Sequence, residues 1–550
     1  MVRSTGVGVV VAAGVVLALG CNVPPSRCQG DADCLDTNRC EKGYCRPRVL
    51  STRDAGPPRC ATNQECLDRH PEAPFICRKS DSLCVPLTTS ECDVVLGDNA
   101  EIANDNTVFF GSILPIRGVD ESTGQPLLNS VELARQDFKQ TTSGLPAATP
   151  GGTPRPIVFV ACNDEDALGA AEHLSNTVQV PAIVGPAFSG VTLDVANNVT
   201  VPAGTLVLSP SATSPAITGI QDNGLVWRTS PPDSLQAVAV NALASVFEQQ
   251  VRTQLGLAQG DQIKLGLAFK GDGYGQGLAN ELFNILRFNG LSVADNGNNY
   301  RQYNYGDPDD NDPVPSYDEK ATQIIGFQPH VILLIGTNEA VTEMFTRIEN
   351  NWPSGLPYRP RYVLTDGGKI PEIIQLTAND ATVRNRVLGT VPGTKNANYD
   401  RFRLNFTSNE SSLPYQGTDP DVFGTAGAYD ALYLLAYAAV AVGEPVTGPR
   451  LVEGLKRMVG GGTVINAGAA QINDAFTAVA AADGRIDFNG ASGPLDFNTD
   501  TGEATSDIQV WCVSVSSGSG AFATTDYYYN AATGQMAEYS ATPDGLPTCP

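Results

Sequence analysis

Histidine is nearly absent: 550 residues carry three, His70, His173 and His330. They lie far apart in the chain and no G-x-S-x-G occurs. A histidine-based triad or a histidine metal cluster is therefore unsupported. Positive charge is also in deficit. Lys and Arg number 35 against 59 Asp and Glu, for a net charge of −24. A nucleic-acid binder needs a basic face to displace counterions from phosphates. No Lys/Arg cluster of that kind is present, so nucleic acid is excluded as a partner. The acidity reads as a solvated surface. Charged residues make up only 17% against 42% hydrophobic, the balance of a globular chain rather than a disordered one. Beyond the first twenty residues no segment reads as apolar and long enough to span a bilayer, which takes about 20 residues.

The beginning of the chain is different. In MVRSTGVGVVVAAGVVLALGCN, Arg3 precedes an apolar stretch from Val7 to Leu19. That stretch is too short for a membrane span and has the shape of a secretory h-region. Leu17-Ala18-Leu19-Gly20-Cys21 resembles a bacterial lipobox, with Ala18 where leucine is usual. The resemblance implies a lipoprotein signal peptide over 1–20 and lipidation at Cys21. The mature chain would then be exported to the cell envelope. It would be held at the periplasmic side or the outer membrane by its lipid anchor alone.

There are 13 cysteines, and setting Cys21 aside leaves an even number. An even count in an exported chain indicates disulfides. Eight fall into two sets, Cys28, Cys34, Cys40, Cys45 and Cys60, Cys66, Cys77, Cys84. Both begin C-x5-C and both end C-x-P, at Pro47 and Pro86. This is an internal repeat with few core-forming residues, so disulfides must replace a core. Within each set three pairings are open. Zinc sites favour C-x2-4-C pairs, and the nearest is Cys40 to Cys45 in an oxidising compartment, so no metal is expected. The two units resemble small EGF-like or Dickkopf-like cysteine-rich repeats. They divide the region into a first repeat with its linker over 21–59 and a second over 60–91. The remaining cysteines pair by nearness in sequence as Cys92–Cys162 and Cys512–Cys549.

From about residue 105 short apolar runs alternate with helical patterns. The runs are 107–114 (TVFFGSIL), 156–161 (PIVFVA), 180–184 (VPAIV), 204–208 (GTLVL), 264–269 (KLGLAF), 330–335 (HVILLI) and 361–365 (RYVLT). They are nearly continuous and often β-branched, as strands buried on both faces should be. Between them Leu127, Val131, Ala134 and Phe138 recur at helical spacing, as do Leu278, Leu282, Ile285 and Leu286. Alternating strand and helix predicts an α/β fold with parallel sheets. The pattern occurs in two blocks, 105–228 and 230–390, which implies two lobes. VFGTAGAYDALYLLAYAAV at 422–440 reads as a helix that must be buried, and IDFNG, PLDFN and IQVWCVSV read as β-structure.

Ligands of open α/β sheets sit beyond the carboxyl ends of the strands. Two neighbouring strand ends carry hydroxyls. In VPAIVGPAFSGVTLDVANNV, Ser189 stands where the next helix begins, and LVLSPSATSPAIT offers Ser211 and Thr213. A serine at a helix N-terminus caps it and can also hold an anion favoured by the helix dipole. Taken singly, each is equally an ordinary cap or turn residue. GDGYGQG follows a strand, but Gln276 and Leu278 occupy the places a dinucleotide fingerprint needs for its third glycine. No nucleotide cofactor is expected.

In order along the chain, TVFFGSILPIRG, VPAIVGPAFSGVT, VPAGTLVLSPSATSPAIT, VWRTSPPDSLQAVAV, KGDGYGQGLANEL, GAYDALYLLAYA and GPLDFNTDTGEATSDIQV resemble type I periplasmic solute-binding proteins of the branched-chain amino-acid-binding family. The resemblance implies a two-lobed clamp with three hinge crossings, lobe 1 over 92–229 and 394–494 and lobe 2 over 230–393 and 495–550. It implies no enzyme activity and no cofactor. It further implies a small polar ligand, an amino acid or a relative, passed to an ABC permease. Ser189, Ser211, Ala212 and Thr213 would hold the ligand carboxylate, Tyr274 would close over it, and Asp366 would pair with the α-ammonium. The chemistry is consistent, since a buried zwitterion needs donors at one end and an anion at the other. HVILLIGTN departs from the family by offering Thr337 and Asn338 where an aromatic is common. The cysteine repeats are expected to form a disulfide stalk that lifts the clamp from the membrane; the same clamp could instead serve a sensory membrane partner, with the repeats as the docking element. Cys21→Ser is expected to move the protein from the membrane fraction to the soluble one on cell fractionation; persistent membrane association would exclude the lipid anchor.

Overall fold

In the computed structural model the residues described are 38–41, 44–47, 59–149, 151–258, 260–308, 315–393, 396–516, 518–538 and 549. The signal segment 1–20, Cys21, Cys28 and Cys34 lie outside them. The chain divides into a unit Met1–Arg59 and a unit Cys60–Pro550. Of the first unit only a backbone hairpin is described, Asn38–Glu41 against Tyr44–Pro47, with positions 40 and 45 in register.

The second unit is built on two eight-stranded sheets. In the first, Val108–Leu114 lies between Ala182–Val184 and Ile157–Asn163, and Ala182–Val184 is followed by Leu206–Ser209 and Val226–Arg228, all parallel. Val94–Leu96 closes one edge antiparallel to Ile157–Asn163. In the second, Tyr300–Asn304, Leu265–Phe269, Val331–Ile335, Arg361–Leu364 and Val387–Pro392 run parallel in that order. Each expected run is a strand, shifted by no more than two residues at either end. Continuous burial explains the apolar composition: every residue of Ile157–Asn163, Leu265–Phe269 and Val331–Ile335 is buried. The fold is the two-lobed α/β clamp with parallel sheets that the pattern implies.

Helix Thr425–Val442 is long and apolar enough to cross a membrane, contrary to the expectation that no later segment would be. It is the centre of the first lobe instead. Tyr429, Tyr433, Leu434 and Tyr437 are buried among side chains of Glu121–Thr142, including Phe138. Tyr429 and Tyr433 both donate to Asp137 Oδ2, at 2.5 and 2.8 Å, so their hydroxyls are satisfied inside the core. Each large apolar side chain buried this way contributes about 1.5–3 kcal/mol.

The chain crosses between lobes after Val226–Arg228, after Val387–Pro392 and after Glu503–Ala504. The third crossing lies later than the expected boundary at 495. Phe497–Asn498 and Glu503–Ala504 form a hairpin that joins the first sheet, with Glu503 in register with Arg228. Only from Ile508–Ser516 does the chain enter the second sheet, antiparallel to Val387–Pro392, and Ser519–Asn530 and Gln535–Glu538 extend it.

The second cysteine repeat pairs first with third and second with fourth, Cys60–Cys77 and Cys66–Cys84. It is packed onto the first lobe rather than standing apart as a stalk. Ile76, Val85 and Leu87 share a core with Ile113, Val158, Leu174 and Val178. Asn63 Nδ2 donates to Ile102 O at 3.0 Å, and His173 Nε2 lies 3.0 Å from Leu87 O. Two further disulfides join Cys92 to Cys162 and Cys512 to Cys549. The first closes a span of 70 residues and ties this junction to the buried strand Ile157–Asn163. The paired change Cys92→Ala with Cys162→Ala is expected to cost about 2–4 kcal/mol in denaturant unfolding; an unchanged midpoint would mean the packing alone holds the junction.

Candidate functional site

Between the lobes lies a cleft lined by Ser189, Ser211, Tyr274, Asp366, Lys369 and Phe423, among others. Ser189, Ser211, Tyr274 and Asp366 are four of the six residues singled out from the sequence. Ala212 and Thr213 sit just behind the wall.

The hydroxyls divide into those spent on the backbone and those left over. Ser189 is the first residue of helix Ser189–Val195. Its Oγ accepts from Thr213 N and Ser214 N, both at 3.1 Å, which leaves its own proton to donate. Ser211 Oγ donates to Ala187 O at 2.8 Å. Ser209 Oγ donates to Pro186 O at 2.6 Å and accepts from Ala212 N at 3.0 Å. Ser214 caps helix Pro215–Thr218 and reaches across to Gly273 O at 2.8 Å on the other lobe. Thr213 Oγ1 is buried with no hydrogen bond closed. Arg228 holds the loop from below: its guanidinium donates to Ala212 O at 3.3 Å and Ser214 O at 2.8 Å, and pairs with Glu503.

The opposite wall belongs to the second lobe. Asp272 caps helix Gly273–Ile285 by accepting from Gly275 N at 2.8 Å. A side chain on Gly275 would place its Cβ 2.2 Å from Lys270 O, so glycine is required for the helix to start this close to the strand end. That start aims Tyr274 inward. Its hydroxyl lies 2.6 Å from Thr365 Oγ1 and donates to Asp366 Oδ1 at 2.7 Å. Gln236 Nε2 donates to the same oxygen at 2.7 Å. Thr337 is spent: its hydroxyl donates to Glu339 Oε2 at 2.6 Å. Asn338 N donates across the cleft to Asp120 Oδ1 at 3.4 Å.

Asp233, the first residue of helix Asp233–Leu255 at the hinge, was missed by the sequence reading. It is fully buried and neither carboxylate oxygen has a closed hydrogen bond. Gln236 Oε1, one helical turn on, is likewise unsatisfied. The signal was the acid in VWRTSPPDSLQ, hidden because an acid in the first turn also suits the helix dipole. Burial, and then the charge of Asp366, push the Asp233 carboxyl well up, against the nearby Thr213 hydroxyl and Arg228. Burial pushes Asp366 up to about 6, against the hydrogen bonds from Tyr274 and Gln236. Behind the cleft wall the Thr213 hydroxyl faces the Asp233 carboxylate, and these, with Gln236 Oε1 and the cleft-lining Asp366, make a buried acceptor set that suits an ammonium. The three histidines are elsewhere: His70 stacks on Phe75, His330 on Tyr358, and His173 faces Leu87.

Several solved structures share this fold. One is a leucine-binding protein, LivK, from Thermotoga maritima: 17% identity, TM-score 0.54, covering 76% of this chain and 98% of that one. Another is LivJ, a branched-chain amino acid transporter substrate-binding protein from Streptococcus pneumoniae, in complex with isoleucine: 18%, 0.52, 76% and 99%. A third is a solute-binding protein of an ABC transporter from Rhodopseudomonas palustris, in complex with 3,4-dihydroxybenzoic acid: 13%, 0.52, 78% and 98%. The fold is thus that of the type I periplasmic binding proteins. No protein-family model and no curated protein matches the chain.

The buried acids make stability depend on pH with a defined sign. An acid whose folded pKa is raised binds more protons folded than unfolded. Its penalty is absent below the unfolded value, grows as pH rises toward the folded one, and is constant above. Asp233→Asn is therefore expected to raise the melting midpoint of the ligand-free protein by a few degrees at about pH 8 and to leave it unchanged at about pH 4. Equal midpoints at the higher pH would mean Asp233 carries no buried charge.

Proposed function

We propose that the chain is an exported, lipid-anchored solute-binding protein that captures a small zwitterion, an amino acid or a relative, for an ABC-type transporter, and performs no chemistry on it. The observation that carries this is the convergence on one interlobe cleft of Ser189 at a helix start and of Tyr274 and Asp366 opposite. The ligand carboxylate would meet the Ser189 proton and the amide end of its helix. The ammonium would meet Asp366, with Asp233 and Thr213 behind it. Such a ligand lowers the cost of two buried carboxylates, so it favours the closed state by a differential interaction rather than by contact area.

Closure has its own contacts. Ser214 bonds to Gly273 O, Asn338 N reaches Asp120, and Ser122 Oγ lies 3.3 Å from Glu372 Oε2. A Cβ on Gly273 would come 3.6 Å from the Gly190 Cα, so the two backbones pass closely across the cleft. Population shift between open and closed forms is the mechanism we infer. A sensory role with the same clamp is supported by one observation: the second cysteine repeat is part of the first lobe's core, which offers a partner a rigid surface.

Mass spectrometry of small molecules released on denaturation identifies the natural ligand. A thermal-shift panel of amino acids is then expected to stabilise the wild type, and to do so at least about tenfold more weakly in concentration for Ser189→Ala with Thr213→Ala and for Asp366→Asn. Ligand stabilisation undiminished in both variants would place binding elsewhere.

A further inference from the structure

The cleft is small, about 30 Å³, which is space for a few waters at most. A second cavity of about 250 Å³ lies on its hinge side, lined by segments of all three crossings: Pro231, Gly393 and Ser506 among them. Lys369, Val422 and Phe423 line both cavities and form the partition between them. A ligand held at Ser189 and Asp366 therefore finds its remaining volume beyond Lys369.

Lys369 is poorly satisfied. Its side chain is 8% exposed, and it is the sole Lys or Arg lining the cleft. Its ammonium donates to the backbone oxygen of Asp421 and stands 4.9 Å over the Phe522 ring. Among the described residues it has no carboxylate at ion-pair distance. The nearest acid is already engaged: Asp421 accepts from Arg403 Nε at 2.9 and 3.0 Å and from Tyr399 OH at 2.6 Å. Burial lowers the Lys369 pKa, with Asp421 and Asp419 opposing and Arg403 adding to the fall. An ammonium out of water with two donors unspent needs an anion. Phe522 comes from the hairpin Ile508–Ser516/Ser519–Asn530, so this wall is built by the C-terminal extension of the second sheet.

We propose that Lys369 receives an anionic group at the end of the ligand's side arm, so that the clamp selects α-amino acids with an acidic side chain. This rests on the function proposed above. The α-ammonium sits at Asp366, the α-carboxylate at Ser189, and the side arm passes between Val422 and Phe423 with its distal carboxylate on Lys369. The protein's carboxylates then face the ligand's cation, and the buried lysine faces its second anion in a cavity also lined by Asp400 and by Asp421, the latter paired with Arg403.

The test is isothermal calorimetry with L-glutamate, L-2-aminoadipate, L-glutamine and L-leucine on the full chain and on Lys369→Met. The wild type is expected to bind at least one of the two acidic amino acids at least about tenfold more tightly than L-glutamine, and Lys369→Met to lose that preference while keeping L-glutamine. If L-glutamine or L-leucine binds the wild type as well as the acids do, the inference fails and the clamp's amino-acid role stands. The same holds if the acidic preference survives Lys369→Met. If none of the four binds, the inference fails, and the molecule released on denaturation decides the amino-acid role. The wild-type ratio decides the matter even if the variant does not fold.

Discussion

Charge buried between the lobes is the constraint on which the rest of the site turns. Asp366 and Lys369 line the cleft and Asp233 lies behind it, all nearly inaccessible to water. In a low dielectric none of these is cheap, and like charges at the acidic end raise the cost further. A protein selected only for stability would replace them with apolar side chains. Their retention makes sense if something charged completes them.

The surrounding architecture serves to hold these groups still. Arg228 grips two carbonyls of the loop after Leu206–Ser209, and Glu503, 275 residues further along the chain, grips Arg228. Asp272 and Gly275 set the start of the helix that carries Tyr274. Tyr274 and Gln236 in turn fix Asp366 from two directions. Side chains locked by neighbours bind with less entropy lost than mobile ones, which is where a small ligand's affinity comes from.

Much of this was legible in the sequence, and what was not had physical reasons. The strands could be read because burial on both faces forces unbroken apolar runs such as VILLI. Ser189 could be singled out because it follows a strand end, where this class of sheet binds ligands, whereas Tyr274 and Asp366 came only from the family resemblance; all three line the cleft. Within SPSATSP the sequence could not distinguish Ser211, spent on Ala187 O, from Thr213, left unsatisfied, since that depends on which carbonyls fold back within reach. Asp233 was hidden by its helix-start position, and Lys369 by an ordinary flanking sequence. The third crossing was misplaced because a hairpin of two-residue strands has almost no periodicity to read.

The Arg228–Glu503 pair also bears on how the clamp moves. Two of the three connections leave the first lobe from adjacent register positions, one directly after Arg228 and one just after Glu503. Points tied side by side cannot separate, so they define a pivot. In the open–closed exchange proposed above, opening would then be a rotation about that pair, with each point of the cleft travelling in proportion to its distance from it. The hinge-side chamber, lined by segments of all three crossings, would have the shortest lever arm and change least.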